Sequence, residues 1–238
     1  MALYRGSEKM SGNCASWCQR KVKTISPAQF MSGKNKKGLV ASTNLGKVAE
    51  IKAMLKGSIT WVGLADFAHI KKVKENGKTF AENARKKALG YAKQTGLWTI
   101  ADDSGLVIDA LGGLPGVKSA RFAGCKNADR KIVDRKNFEK VLKLLKGVPA
   151  EKRTARFVCS LCLTSPEKIL IETEGKLEGV IVEKPEGENG FGYDPIFFVP
   201  HLNKTVAQLS AEEKNAISHR GQAVRKLKPL LRKLLRQD

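Results

Sequence analysis

Apolar and polar residues alternate along this chain with two periods, near two residues in short runs and near 3.6 in longer ones. The pattern sharpens at Lys36. Gly38-Leu-Val-Ala-Ser42 reads as a short strand, Thr43-Asn44-Leu45-Gly46-Lys47 as a turn, and Val48, Ile51 and Leu55 recur at helical spacing up to Lys56. Gly57-Ser58 turns the chain into a second strand, Ile59-Thr-Trp-Val62. After a polar, lysine-bearing segment up to Gly77, a long helix is predicted from about Thr79 to Gln94, with Phe80, Ala84, Ala88 and Tyr91 as its inward stripe. Thr79-x-x-Glu82 at its start satisfies the capping-box rule.

The run Trp98-Thr-Ile-Ala101 reads as a buried strand that stops on Asp102, and the turn-forming stretch Leu111-Gly-Gly-Leu-Pro-Gly116 follows soon after. Residues 127–146 predict a basic amphipathic helix, with Ile132, Val133, Phe138, Val141, Leu142 and Leu145 inward and a solvated lysine face. Three β segments follow, 154–164, 169–174 and 176–182, separated by turns at Ser165-Pro166 and Glu174-Gly175, so part of the sheet should be antiparallel. Beyond a strand at Ile196-Phe-Phe-Val199, Ser210-x-x-Glu213 opens a helix that carries Ser218-His219-Arg220-Gly221 in its middle. Its apolar stripe runs on through Val224, Leu227, Leu231 and Leu234, past Pro229, which should bend or restart it.

Composition narrows the class. At 238 residues, 42% hydrophobic and 28% charged, the chain can bury one sizeable core, and no apolar run approaches the roughly 20 residues of a membrane span, so a soluble protein with no membrane partner is expected. Forty-four basic against twenty-three acidic residues give +21, which predicts attraction to polyanions. Aromatics are only 6% and the lysines are dispersed, which does not favour a specific nucleic-acid binder. Five cysteines without a secretory signal point to free thiols in a reducing, cytoplasmic setting. Cys159 and Cys162 lie in an apolar run, where cysteine serves as a small hydrophobe rather than a zinc ligand paired with Cys14 and Cys18. Residues 1–35 form a basic extension with no sustained apolar periodicity, expected to be poorly ordered, ahead of a domain spanning 36–238.

Several strings carry candidate chemistry. Asp102 and Asp103, with Ser104 and Gly105, stand where a strand of an α/β sheet ends, a place where acids meet a metal, a water or a substrate; the alternative is a cap or a closed turn. The strand, turn and helix start around Ser42, Asn44 and Lys47 suit a phosphate, because free N–H groups and the positive dipole end are gathered there; the alternative is an Asn-capped helix with a solvated lysine. Glu82 either caps its helix or shares a cation with the central carboxylates, in which case Lys87 faces the same pocket. Phe191 and Tyr193 flank Gly192 beside Asp194 and Pro195, so their rings either sandwich a base or pack into the core. Lys214 sits in the first turn of its helix, and His219 and Arg220 are either structural or donors to a ligand.

Taken together, Ser42-Thr-Asn-x-Gly-Lys47, Thr79-Phe-x-Glu-Asn83 with Lys87, Ala101-Asp-Asp-Ser-Gly105, Leu111-Gly-Gly-Leu-Pro-Gly116, Phe191-Gly-Tyr-Asp-Pro195 and Glu213-Lys214-Asn215 through Ser218-His-Arg220 occur in one order. That ordered set resembles the inosine triphosphate pyrophosphatase family over about Lys36 to Leu235. The resemblance implies an elongated α/β domain with a long, mixed, twisted sheet flanked by helices, normally a homodimer. It also implies hydrolysis of ITP, dITP or XTP to the monophosphate and pyrophosphate with Mg²⁺. By similarity, Ser42, Thr43, Asn44, Leu45, Gly46 and Lys47 hold the triphosphate, Asp103 is proton acceptor and magnesium ligand, and Glu82 helps with the metal. Lys87 assists catalysis and Ser104 touches substrate. Phe191, Gly192, Tyr193 and Asp194 clasp the base, Lys214 lies on the phosphates, and His219 with Arg220 meets the base edge. Thr43 stands where many relatives carry glycine. The competing class is a polyanion-binding module without catalysis.

Overall fold

The computed structural model describes residues 36–57, 59–125 and 129–236, so the basic extension with Cys14 and Cys18 lies outside the described residues. Seven strands form one mixed sheet in the order β2-β1-β3-β4-β5-β6-β7. They are β1 (Lys36–Val40), β2 (Ile59–Gly63), β3 (Trp98–Ile108), β4 (Thr154–Thr164), β5 (Ile169–Ile181), β6 (Phe197–Val199) and β7 (Lys204–Thr205). β1 lies parallel to both β2 and β3, while every pairing from β3 onward is antiparallel. The helices are α1 (Leu45–Met54), α2 (Phe80–Thr95), α3 (Arg130–Leu144), α4 (Ala211–Ile217) and α5 (His219–Leu235). None is long and apolar enough to cross a membrane.

Helices cover both faces because the strands alternate their side chains. Val40, Ile100, Leu161 and Leu163 pack with Ile51 of α1 and Val224 and Leu227 of α5. Leu39, Ala41, Ala101 and Cys162 pack with Ala84, Ala88 and Tyr91 of α2. A third cluster joins Leu106, Phe157 and Phe197 to Val141 of α3. Cys159 belongs to the α1/α5 side and Cys162 to the α2 side, so the two thiols face apart; burial raises both to about 12, and each acts as a small hydrophobe.

The elements differ from the pattern read along the chain in several places. β3 does not stop at Asp102: it pairs with β4 from Thr99 to Ile108, with Asp102 opposite Leu161 and Asp103 opposite Ser160, because β4 offers a full ladder and nearby cations absorb the charges. β5 runs unbroken through Glu174-Gly175; the glycine is there because a Cβ would collide with the His219 carbonyl of α5. Ser218 is not mid-helix but divides α4 from α5, its side chain accepting the Gly221 N–H at 3.0 Å as N-cap. α5 then runs as one helix through Pro229 to Leu235, with that proline on its exposed side, so the helix is not restarted there. In α3, Ile132 faces solvent while Asp134 and Asn137 turn inward. Asn137 accepts the Ala123 N–H at 2.7 Å.

Candidate active site

A cavity of about 330 Å³ opens where the β1–α1 turn, the middle of β3, α2 and the α4–α5 junction converge. Asn44 starts α1 with its side chain accepting the Lys47 N–H at 3.2 Å, and Ser42 Oγ accepts the Asn44 N–H at 3.2 Å. This leaves the N–H groups of Leu45 and Gly46 in the first helical turn, where no intrahelical acceptor exists. Leu45 is 79% exposed, and neither it nor Gly46 lines the cavity. Gly46 also permits close packing, since a Cβ there would lie 2.8 Å from the Phe191 ring.

Alternation along β3 sends the adjacent carboxylates to opposite faces. Asp102 is fully buried and receives Lys47 Nζ at 2.9 Å, Ser104 Oγ at 2.8 Å and Arg220 Nη2 at 3.1 Å on one oxygen. Burial alone would raise its pKa, but Lys47, Arg220 and Lys87 outweigh that and hold it well below the usual carboxylate range. Lys47 Nζ also donates to Ser104 Oγ at 2.8 Å. Asp102 is therefore the anchor of the lysine and the arginine, not a group facing the cavity.

Asp103 faces α2. Its Oδ1 lies 3.7 Å from Lys87 Nζ, which also meets Glu75 Oε2 at 3.1 Å. Burial pushes the Asp103 carboxyl up against the pull of Lys87 and Lys47, whereas the Lys87 ammonium, itself penalised by burial, is raised by Asp102, Asp103 and Glu75. Asp103 Oδ2 is buried with no hydrogen-bond partner. Two hard-oxygen carboxylates on one ammonium, one of them with an orphaned oxygen, suit a divalent cation whose remaining ligands come from phosphates. No group of three or more His, Cys, Asp or Glu gathers among the described residues, so the protein alone does not make a full cage.

Glu82 is elsewhere. Its Oε2 accepts the Lys78 N–H at 2.8 Å, its own N–H goes to Thr79 Oγ1 at 3.1 Å, and it does not line the cavity. Glu82 thus sits at the helix cap, and Glu75 is the acid that meets Lys87 at the cavity. Glu82 closes the α2 cap and thereby pins the preceding loop. Gly77 N–H on Asn83 Oδ1 (2.7 Å) and Val73 N–H on the Tyr91 hydroxyl (3.3 Å) pin it further. That pinning sets Glu75 beside Lys87. Glu75 sits in a polar loop without periodicity, so no sequence signal marked it.

At the opposite end, Lys214 binds Asp194 Oδ2 at 2.7 Å and Glu50 Oε1 at 3.0 Å, and lies 4.3 Å from the Phe191 ring centroid. Burial opposes its charge, yet Asp194 and Glu50 raise its pKa. Arg220 is 1% exposed and donates from Nη1 to Glu50 at 2.5 Å and from Nη2 to Asp102 and Ser104, leaving Nε buried without a partner. Glu50, from α1, thus ties together two cations that the sequence strings named separately. His219 stacks on Phe157 at 4.9 Å, and its Nδ1 has no partner. Burial, then Arg220, Lys214 and Lys47, hold its pKa well below the usual histidine value, so the ring is neutral at pH 7.

Tyr193 and Asp194 serve as wall and anchor rather than as open faces. The Tyr193 ring is buried and its hydroxyl donates to the Ser119 carbonyl at 2.8 Å. Asp194 accepts the Phe191 N–H at 2.8 Å. Of the two rings, only that of Phe191 is left partly exposed at the cavity. Ser42, Thr43, Asn44, Lys47, Lys87, Asp103, Ser104, Phe191, Gly192, Tyr193, Asp194, Lys214, His219 and Arg220 all line this one cavity.

Residues 39–230 match the Ham1 family model. A dITP/XTP pyrophosphatase of Shouchella clausii is 50% identical over 191 residues, covering 80% of this chain and 93% of that protein. Its Bacillus cereus counterpart is 49% identical over 195 residues, covering 81% and 93%. Among solved structures, a HAM1 protein from Coxiella burnetii aligns with a TM-score of 0.73 at 42% identity, over 83% of this chain and 98% of that one. The Staphylococcus aureus Ham1 protein aligns with a TM-score of 0.73 at 40% identity, over 83% and 99%.

Proposed function

The chain belongs to the Ham1 family, and from that premise we propose that it hydrolyses non-standard purine nucleoside triphosphates, dITP, ITP and XTP, to the monophosphate and pyrophosphate. The observation that carries the reading at the level of residues is the seating of Asp103 beside Lys87 in a cavity that also holds Lys47, Lys214 and the start of α1. In an in-line displacement at the α phosphorus, water attacks, one proton leaves it, and pyrophosphate departs with growing negative charge. Asp103 is the acceptor proposed for that proton. Lys47 and Lys214, with the Leu45 and Gly46 N–H groups, neutralise the polyphosphate. Substrate competes with Glu50, Asp102 and Asp194 for these ammonium groups, which are therefore held in place before it arrives.

Mg²⁺ is the cation proposed, held by Asp103 and Glu75, and when bound it supplies Lewis-acid neutralisation of phosphate oxygens. Phe191, neutral His219 and Arg220 form the end proposed for the base, supported by the stacked, buried wall of Phe157 and Phe197 behind them. A homodimer is proposed on the family resemblance, and the free thiols suit a cytoplasmic compartment. Incubation of the protein with Mg²⁺ and a panel of dITP, XTP, dATP and dGTP should release pyrophosphate from the first two. Release of orthophosphate, or equal turnover of all four, overturns the reading.

A further inference from the structure

The turn that carries Phe191 is gripped from two sides, and only one grip comes from the turn itself. Asp194 holds the Phe191 N–H from within. The next N–H, that of Gly192, points out of the turn to Asp134 Oδ2 at 3.0 Å, a bond that spans 58 residues and reaches into α3. Gly192 has φ +70°, a left-handed conformation that side chains rarely adopt, so this N–H direction is specific to the turn as built. Asp134 is 7% exposed, is itself met by Arg130 at 2.9 Å, and borders the same cavity. A buried carboxylate on a predominantly cationic helix needs a reason. Holding the turn is one.

We propose that Asp134 is a positioning residue for base recognition: by accepting the Gly192 N–H it fixes the Phe191 ring at the cavity, where that ring selects the purine. The inference rests on the reading above and extends it to a residue of α3 that touches no part of the phosphate machinery. Loss of the bond loosens the ring but leaves Asp103, Lys87 and Lys47 in place, so the effect falls on substrate affinity and base discrimination, not on the chemical step.

The test compares wild type with Asp134→Ala and Asp134→Asn in the full chain, measuring kcat and KM for dITP and dGTP by pyrophosphate release. Asp134→Ala should raise KM for dITP about three- to tenfold, the worth of one hydrogen bond, with kcat within about twofold and a smaller dITP/dGTP preference. Asp134→Asn keeps an acceptor oxygen and should recover most of that affinity. Should the alanine variant fail to fold, Asp134→Ser, polar but too short to reach Gly192, carries the same expectation. An unchanged KM in Asp134→Ala or Asp134→Ser, a loss confined to kcat, or an asparagine variant as impaired as either overturns the inference while leaving the activity standing. A wild type that releases no pyrophosphate from any purine triphosphate takes down both.

Discussion

Arg220 donates to Asp102 at 3.1 Å across 118 residues of chain, and both side chains are buried. Burying a guanidinium and a carboxylate is costly unless both are hydrogen-bonded, and here the network supplies most of that, Lys47 and Ser104 on the acid and Glu50 and Ser104 on the guanidinium, with Asp102 Oδ1 and Arg220 Nε left over. The pair binds the first turn of α5 to the middle of β3 and, through Glu50, to α1. Three elements that border the cavity are thus held together by one buried network of charges.

Removing one partner should therefore be far worse than losing a contact. Arg220→Met leaves Asp102 and Glu50 short of a cation, and we expect a loss of about 3–5 kcal/mol in unfolding free energy from urea denaturation. Arg220→Lys, which keeps charge but lacks the planar fork, should fall between wild type and Arg220→Met. A shift below about 1 kcal/mol for the methionine variant would mean the network is dispensable.

Asp103→Asn keeps the shape of the side chain and removes its basicity. It should lower kcat for dITP by about 10²–10⁴-fold while leaving the unfolding midpoint close to wild type. Turnover near the wild-type level takes Asp103 out of the proton-acceptor role.

Much of this arrangement was legible in the chain. The strands, the capped start of α2 and the string Ala101-Asp-Asp-Ser-Gly105 are local patterns, and local patterns survive into the fold. What was not legible depends on register and close approach. Whether β3 ends at Asp102 is decided by β4, whose Leu161 and Ser160 extend the ladder past the carboxylates. Gly175 looks like a turn glycine until α5 is seen lying on it. Glu75 and Glu82 are both acids near one helix start, and only the anchoring of the loop to α2 decides which reaches Lys87. Asp134 is hidden among lysines and arginines on a helix whose apolar stripe pointed to a solvated polar face.

Which of Glu75 and Glu82 serves the metal is testable. Glu75→Gln should raise the Mg²⁺ concentration for half-maximal activity by at least about tenfold with little change in stability. Glu82→Ala should leave the Mg²⁺ requirement nearly unchanged and instead cost about 0.5–1 kcal/mol through the lost cap. Inverted results would return the metal to Glu82.

His219 is neutral and buried among Arg220, Lys214 and Lys47, with Phe157 stacked on its ring. Its folded pKa lies well below the ordinary 6.5, so the unfolded chain takes up a proton near pH 6.5 that the folded protein refuses. Stability from this group is fully present above that pH and is lost as pH falls through it toward the folded value, by at most about 1.4 kcal/mol per pH unit. Asp102 acts in the same direction, but its loss begins only near its ordinary 3.8 and below, outside the window from pH 6.5 to 5. Asp103 and Asp194, both raised by burial, act with the opposite sign, since the folded protein binds their protons first. These carboxylates are common to wild type and His219→Gln, so they largely cancel when the two are compared. Urea midpoints measured from pH 7.5 to 5 should fall more steeply for wild type than for His219→Gln. Parallel curves would show that the histidine does not stay neutral in the folded protein.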